Sequence, residues 1–313
     1  MRIAILGSGA VGGYFGAKLA RAGHDVTFIA RRAHLDAIRA RGLSVRSPHG
    51  DFLVRAPAED DPRKVGVVDL VLFAVKTYDD DTALPLLRPL TGAQTTVLPL
   101  QNGVEAAEHV AAIVGAERTL GATTYIGTAL EAPGVIVQTG LYHRIVMGEW
   151  FGTGDRVSAR VARLGEALAG ADIEVELAAD ARVPVWEKFI YLAPMGGLAA
   201  AARQPAGVIW NDPALRAQFL AGVQEVEAVA RAEGLAVAAN MAERVTAYMG
   251  GVSPEMRPSM LLDLTAGKPL ELEALQGAVV RRGAARGVPT PVMATLYAVL
   301  KPYAGGRSGQ ADA

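Results

Sequence analysis

The sequence contains no cysteine, which excludes disulfides, thiolate catalysis and Cys-based zinc or iron–sulfur sites, and leaves the redox compartment unspecified. Its five histidines, His24, His34, His49, His109 and His143, lack ligand-like spacing, so no metal is expected. No uninterrupted apolar run reaches membrane-spanning length. The nearest, residues 189–202, is broken by Pro194 and Gly196-Gly197 and reads as a buried helix. The apolar start of the chain is only strand-length and runs into a glycine motif without a cleavage-like site, so a cytoplasmic protein is expected. Excess charge is absent as well: a net charge of −1 provides no basic field, and neither nucleic acid nor membrane is expected as a partner. Two polar residue types are scarce. Only six of the 31 basic residues are lysines (Lys18, Lys64, Lys76, Lys188, Lys268 and Lys301), and the asparagines are only Asn102, Asn211 and Asn240. What remains is an ordinary globular composition, 51% hydrophobic and 20% charged over 313 residues, with enough core for two domains.

The most informative segment is Arg2-Ile3-Ala4-Ile5-Leu6-Gly7-Ser8-Gly9-Ala10-Val11-Gly12. A short apolar strand breaks into G-x-G-x-x-G and then into an Ala-rich amphipathic helix, residues 10–22, ended by Gly23. The first glycine permits a tight turn, the second lets backbone approach a pyrophosphate, and the third allows close helix–strand packing. The helix N-terminus offers free N–H groups and a positive dipole end to the anion. Gly7, Ser8, Gly9, Ala10, Val11 and Gly12 are therefore the expected cofactor-binding loop.

A second strand, residues 24–30, ends without the acid that would bind a ribose 2′-hydroxyl; Arg31-Arg32 stands there, and Asp25 opens the strand instead of closing it. Guanidinium forks suit a 2′-phosphate, so NADP(H) is the expected cofactor, with Arg31 the first candidate and Arg32 the second. The alternative is a pair of solvated arginines at a loop entrance.

Further apolar runs at residues 69–76, 95–100, 119–126 and 145–150 alternate with helical or loop-like segments, which argues a doubly wound parallel sheet. A hairpin is expected over residues 43–54 around Pro48-His49-Gly50, and another pair around residues 135–148. From about Ala181 the pattern turns helical. Asp212 and Pro213 read as N-cap and first helical residue, followed by an apolar face of Leu215, Phe219, Val223, Val226 and Ala230 up to Gly234. Residues 269–287 and 290–303 read as further helices. The fold class is thus α/β, with an N-terminal Rossmann-like doubly wound parallel sheet (residues 1–179, binding NADP(H)) and an all-helical C-terminal domain (residues 180–303, for substrate and dimerisation). A disordered tail, residues 304–313, completes the expected division. The nicotinamide would project into an interdomain cleft above the carboxyl ends of the strands. Apolar helices in the second domain are compatible with a homodimer.

Several segments resemble one family, the ketopantoate reductases (2-dehydropantoate 2-reductases). They are the glycine motif followed by Arg31, Ala74-Val75-Lys76, Gln101-Asn102-Gly103, Trp186-Glu187-Lys188-Phe189, Ser259-Met260-Leu261-Leu262-Asp263, Glu271 twelve positions beyond Ser259, and Gly287-Val288-Pro289-Thr290-Pro291. The resemblance spans essentially the whole chain. It implies NADPH-dependent reduction of a 2-oxo acid, ketopantoate, to the 2-hydroxy acid pantoate in pantothenate biosynthesis. By resemblance Lys188 protonates the carbonyl oxygen as hydride arrives at carbon. Asn102 lies near substrate and nicotinamide, Ser259 binds the substrate carboxylate, and Glu271 accepts a hydrogen bond from the substrate hydroxyl. Catalytic candidates are therefore Lys188, Asn102 and Glu271; substrate-binding candidates are Asn102, Ser259 and Glu271; Lys76 and Asn102 join the cofactor-binding set. The residues also admit structural readings: Lys188 as a solvated lysine beside Glu187, Lys76 as a solvated strand end, Asn102 and Ser259 as N-caps, and Glu271 as an acid favouring a helix N-terminus.

The chain departs from the resemblance where the family surrounds substrate with asparagines: Leu192, Gly196, Ala206 and Met256 stand at the matching positions. Burying a polar group without a partner costs about 1–3 kcal/mol, so such a pocket disfavours a small polar acid. Tyr191, Arg203 and Trp210 are candidates for substitute contacts, or else core residues. The alternatives are a sibling oxidoreductase acting on a more apolar 2-oxo acid or carbonyl compound, and a non-catalytic NADP(H)-binding sensor. Opine-type dehydrogenases share the two-domain plan, but the chain has no recognisable amine-site histidine motif.

Overall fold

The computed structural model describes residues 1–152 and 154–306. They fall into two compact units, residues 1–101 with 106–181, and residues 102–105 with the chain from Arg182 onward. The segment Asn102–Glu105, expected in the first domain, is thus grouped with the second.

The first unit runs β1 (Arg2–Leu6), α1 (Ala10–Arg21), β2 (Asp25–Ile29), α2 (Arg32–Arg41), β3 (Leu43–Arg46), β4 (Phe52–Val54), β5 (Ala58–Glu59), β6 (Leu70–Phe73), α3 (Asp80–Ala83), β7 (Thr96–Pro99), α4 (Ala106–Val114), β8 (Leu120–Ala132), β9 (Val135–Glu149), α5 (Ala159–Ala169) and β10 (Glu174–Asp180). Its first sheet is wholly parallel, in the order β5-β2-β1-β6-β7. The chain works outward from β1 and then crosses back to β6, so the order reverses between these two strands, the place where ligands bind in such sheets. Both faces are buried, which is why β1 and β6 read as unbroken apolar runs. Ile3, Ile5, Leu70 and Leu72 join a core with Phe15 and Leu19 of α1. Ala4, Leu6, Val71 and Phe73 point the other way, into a core with Ala83, Leu87 and Val110.

The strands expected to extend this sheet form a second, mixed one, in the order β10-β9-β3-β4 with β8 on β9. Instead of separate runs, β8 and β9 are two long antiparallel partners, with Leu120 opposite Glu149 and Ala132 opposite Val135. The cause is the two-residue connection Pro133-Gly134, too short for a parallel crossover. The expected hairpin is present as β3 and β4, and β3 pairs in parallel with β9.

The second unit adds α6 (Arg182–Ala202), α7 (Ala206–Asn211), α8 (Pro213–Ala232), α9 (Met241–Gly251), α10 (Ser259–Thr265), α11 (Ala278–Arg286) and α12 (Pro291–Leu300). Asp212 caps α8 as expected, its Oδ1 accepting from Leu215 N–H at 2.9 Å. The helix expected from residue 269 instead begins with a π-turn, Glu273–Gly277, that runs into α11. The segment before it is held outside a helix by a long-range bond, because the Leu270 N–H is engaged by the Ala304 carbonyl at 2.9 Å. The same bond ties down residues 304–306 where disorder was expected, and residues 307–313 lie outside the described residues. Among the described residues no helix is long and apolar enough to cross a membrane.

Candidate active site

In the first unit β1 ends in a turn that its neighbours dictate. Gly7 has φ +99°, and a Cβ added there would stand 2.5 Å from Val75 N in the segment after β6. A Cβ on Gly12 would stand 2.3 Å from Gly7 O and 2.8 Å from Ala74 Cβ. The protein's own packing therefore demands these two glycines. Gly9 is different: nothing lies within 4 Å of where its Cβ would be. Its missing side chain leaves room on the open side of the loop. The first turn of α1, Ala10-Val11-Gly12, carries no acid, and its leading N–H groups have no partner within the helix. Ser8 is buried, with its Oγ 3.2 and 3.0 Å from the carbonyl oxygens of Ile5 and Ile29. This bare, donor-rich loop with a positive helix end fits a dinucleotide pyrophosphate.

Arg31, two residues beyond β2, is the N-cap of α2, and Arg32 follows in left-handed backbone with φ +52°. Both are exposed, and neither guanidinium is engaged with another side chain among the described residues. Asp25 lies at the opposite end of β2, 3.8 Å from Arg2 Nε. Lys76 is half-buried and opens the 3-10 turn after β6. The loops after β6 and β7 are tied by buried Gln101, whose Nε2 donates to Val75 O at 3.0 Å and Asp80 Oδ1 at 2.6 Å.

In the second unit Lys188 lies on α6, and its Nζ donates to Asn102 Oδ1 at 3.2 Å. Desolvation pushes the ammonium down to about 8, while the charge of buried Glu271 pulls it back upward. Three of the sequence candidates, Lys188, Asn102 and Glu271, are therefore brought together. Glu187 is turned elsewhere, to Ala238 N–H at 3.1 Å and Arg244 at 2.9 Å, so Lys188 is not its solvated neighbour. Nor does Asn102 cap α4, which begins at Ala106. The Asn102 turn is fixed by Gly103, whose φ of +98° and proximity to Ala274 O leave no room for a Cβ. It is fixed also by Glu105, which pairs with Arg281 at 2.9 Å and Arg282 at 3.5 Å. Sequence reasoning missed Glu105 because its partners lie more than 170 residues away.

Ser259 is the exposed first residue of α10, and Pro258 occupies the N-cap position that the sequence offered to Ser259. The departure positions line up on the same framework. Leu192 and Gly196 follow Lys188 at successive turns of α6, and a Cβ on Gly196 would meet only Met260 of α10, at 3.9 Å. Ala206 N–H bonds to Met256 O at 2.9 Å. A cavity of about 240 Å³ adjoins this pair, lined by Ala206, Trp210, Met249, Val252 and Pro254 among others. The Tyr191 ring stacks obliquely on Tyr248 at 4.8 Å, Trp210 packs on Phe219, and Arg203 is exposed beyond α6.

Comparison with known proteins extends these observations. The family model described as ketopantoate reductase PanE/ApbA matches residues 3–152, and its C-terminal counterpart matches residues 180–304. The chain is 30% identical to an uncharacterized oxidoreductase, YkpB, of Bacillus subtilis, over 97% of this chain and 99% of that one. It is 34% identical to the 2-dehydropantoate 2-reductase of Caulobacter vibrioides, over 96% and 99% respectively. The crystal structure of the 2-dehydropantoate 2-reductase of Geobacter metallireducens superposes with a TM-score of 0.90 at 33% identity, covering 96% of this chain and 99% of that one. Two models in tandem and relatives aligned along almost their whole length leave no part of the described fold unaccounted for, and the chain belongs to the ketopantoate reductase family.

Proposed function

We propose that the chain reduces a 2-oxo acid to the 2-hydroxy acid with NADPH, and that 2-dehydropantoate, named in its relatives, is the first substrate to test. The observation that carries this reading is the Lys188 ammonium, desolvated, hydrogen-bonded to Asn102 and within the field of Glu271. Reduction of a ketone forms an alkoxide far more basic than water can stabilise, so a positioned acid is required. The reduced nicotinamide, when bound, supplies the hydride that forms the new C–H bond. Lys188 supplies the proton that converts the developing alkoxide to a hydroxyl. Asn102 orients the Lys188 ammonium through its amide oxygen. Glu271 favours the charged form of Lys188 and accepts from a substrate hydroxyl, while Ser259 donates to the substrate carboxylate.

Residues 7–12 and Lys76 bind the cofactor in this reading, with Asn102 beside it. Arg31 reads the 2′-phosphate, supported by its exposed and unengaged guanidinium at the end of β2. Incubation with NADPH and 2-dehydropantoate, followed by loss of nicotinamide absorbance, tests the reading. Absence of turnover with that acid and with every other 2-oxo acid in a panel overturns it.

A second reading is favoured by Leu192, Gly196, Ala206 and Met256, which offer no side-chain hydrogen bond to a polar substrate. A larger or more apolar 2-oxo acid, branched or aromatic, fits such a lining better. Turnover of such acids with none of 2-dehydropantoate decides for it. The homodimer remains part of the proposal, and sedimentation velocity on the purified chain tests it.

A further inference from the structure

His34 lies in the first turn of α2, and both of its ring nitrogens are committed. Nδ1 accepts from Gly134 N–H at 3.0 Å, which places the ring proton on Nε2, and Nε2 donates to Ser8 O at 2.7 Å. The ring is half-buried, and burial lowers its affinity for a second proton, so the neutral form with one donor and one acceptor is maintained.

The two ends of this bridge are unequal. Gly134 belongs to the β8–β9 turn, where its carbonyl accepts from Ser44 N–H at 2.9 Å and an added Cβ would stand 3.0 Å from Ala37 Cβ. That end is anchored in the second sheet. Ser8 sits between Gly7 and Gly9, and its carbonyl belongs to the peptide that carries the Gly9 N–H. In a trans peptide the C=O and N–H point in opposite directions, and the described chain has no cis peptide. Holding Ser8 O toward α2 therefore turns the Gly9 N–H away from α2. Gly9 is also the loop position where an added Cβ would meet nothing within 4 Å, so a ligand can approach its backbone closely.

We propose that His34 is a positioning residue for the dinucleotide: by holding the Ser8 carbonyl it presents the Gly9 N–H to the pyrophosphate. The proposal rests on the cofactor reading given above. It assigns a role to a residue outside the glycine motif; a purely structural bridge between the β8–β9 turn and the loop would instead lower the ligand-free melting temperature of His34→Phe with no change in NADPH affinity.

The test uses the full chain and two variants. His34→Phe keeps a ring but has no donor or acceptor; His34→Gln offers an amide with one of each. NADPH affinity is measured by calorimetry, melting temperature without ligand, and kcat at saturating NADPH. The expected result is an NADPH Kd about tenfold higher in His34→Phe, the effect of losing one well-placed donor, with His34→Gln restored to nearly the parent value and kcat unchanged in both. Should His34→Phe fail to fold, His34→Ala is read in its place. A His34→Phe Kd equal to that of the parent, an equal weakening in both variants, or a fall in kcat matching the rise in Kd overturns the proposal. If the unmodified chain binds no NADPH at all, the cofactor reading itself fails, an outcome distinct from any of these.

Discussion

Lys188 joins two opposed demands in a single side chain. Its ammonium is taken partly out of water, which lowers its pKa to about 8, yet the proposed chemistry needs the charged form. The sign follows directly: Lys188 is mostly protonated at neutral pH and loses its proton as pH rises through about 8. The reductive kcat/KM is therefore expected to fall on the alkaline side with an apparent pKa near that value, and a flat profile to pH 9 would contradict Lys188 as the acid. Lys188→Ala should lower kcat by about 10²–10⁴-fold, the usual worth of a positioned proton donor. Stability carries the opposite sign. Between about 8 and the ordinary lysine value of 10.5 the folded chain binds fewer protons than the unfolded one, so this group's destabilising effect is full below that window and is relieved as pH rises across it. Lys188→Met is accordingly expected to melt at a higher temperature than the parent at pH 7 while losing turnover. Arg31 makes a separate prediction. If its guanidinium pairs with the 2′-phosphate, Arg31→Ala should weaken NADPH by about 10–100-fold, the range of a charge-assisted bond, and leave NADH nearly unchanged. Equal effects on both nucleotides would remove Arg31 from that role.

The N-termini of α8 and α12 are capped in two different ways, and only one could be read in advance. Asp212 caps α8 from the adjacent position, so a single stretch of sequence contains both the donor and the acceptor. The N-terminus of α12 is capped by Glu225 of α8, whose two carboxylate oxygens accept from Val292 N–H at 2.8 Å and Met293 N–H at 3.0 Å. Both bonds are charge-assisted and lie at the positive end of the helix dipole. Glu225→Ala is expected to destabilise the fold by about 1.5–3 kcal/mol, whereas Asp212→Ala should remove only about 1 kcal/mol. Chemical denaturation of both variants checks the order, which is reversed if the Glu225 carboxylate contributes little. The same distinction governs what was legible elsewhere. The tight turn at Gly7, β1, α1, the β3–β4 hairpin and the α8 cap are local patterns and were read correctly. The second sheet was not, because the pairing of β8 with β9 depends on a turn whose consequence extends over both strands, and the attachment of β3 to β9 spans about ninety residues. Likewise Lys188, Asn102 and Glu271 were grouped only by the family resemblance and by no local pattern. Their convergence in one unit needed the fold, since the Asn102 turn is held by Glu105 and the distant Arg281.

At the scale of the whole chain, the question is whether nucleotide binding serves catalysis or serves only as a signal. The glycine loop and Arg31 belong to the first unit, and Lys188 to the second, so the two functions can be separated by substitution. A ligand that binds only the native state stabilises it by RT ln(1 + [L]/Kd), about 2.7 kcal/mol at a hundred times Kd. NADPH should therefore raise the melting temperature of the unmodified chain by several degrees. Lys188→Ala should show the same rise, because the proposed role of Lys188 is to transfer a proton to substrate and not to hold the nucleotide. An enzyme and a sensor then diverge in turnover. For an enzyme, the substitution abolishes oxidation of NADPH by the 2-oxo acid that the parent reduces, with the thermal shift intact. A sensor would bind NADPH tightly, oxidise none with any carbonyl compound in the panel, and be unaltered by Lys188→Ala. Buried and desolvated charge is costly to maintain in a protein that does no chemistry with it. The Lys188–Asn102–Glu271 grouping therefore weighs toward the enzyme, and the thermal-shift and turnover measurements on one substituted chain decide between the two.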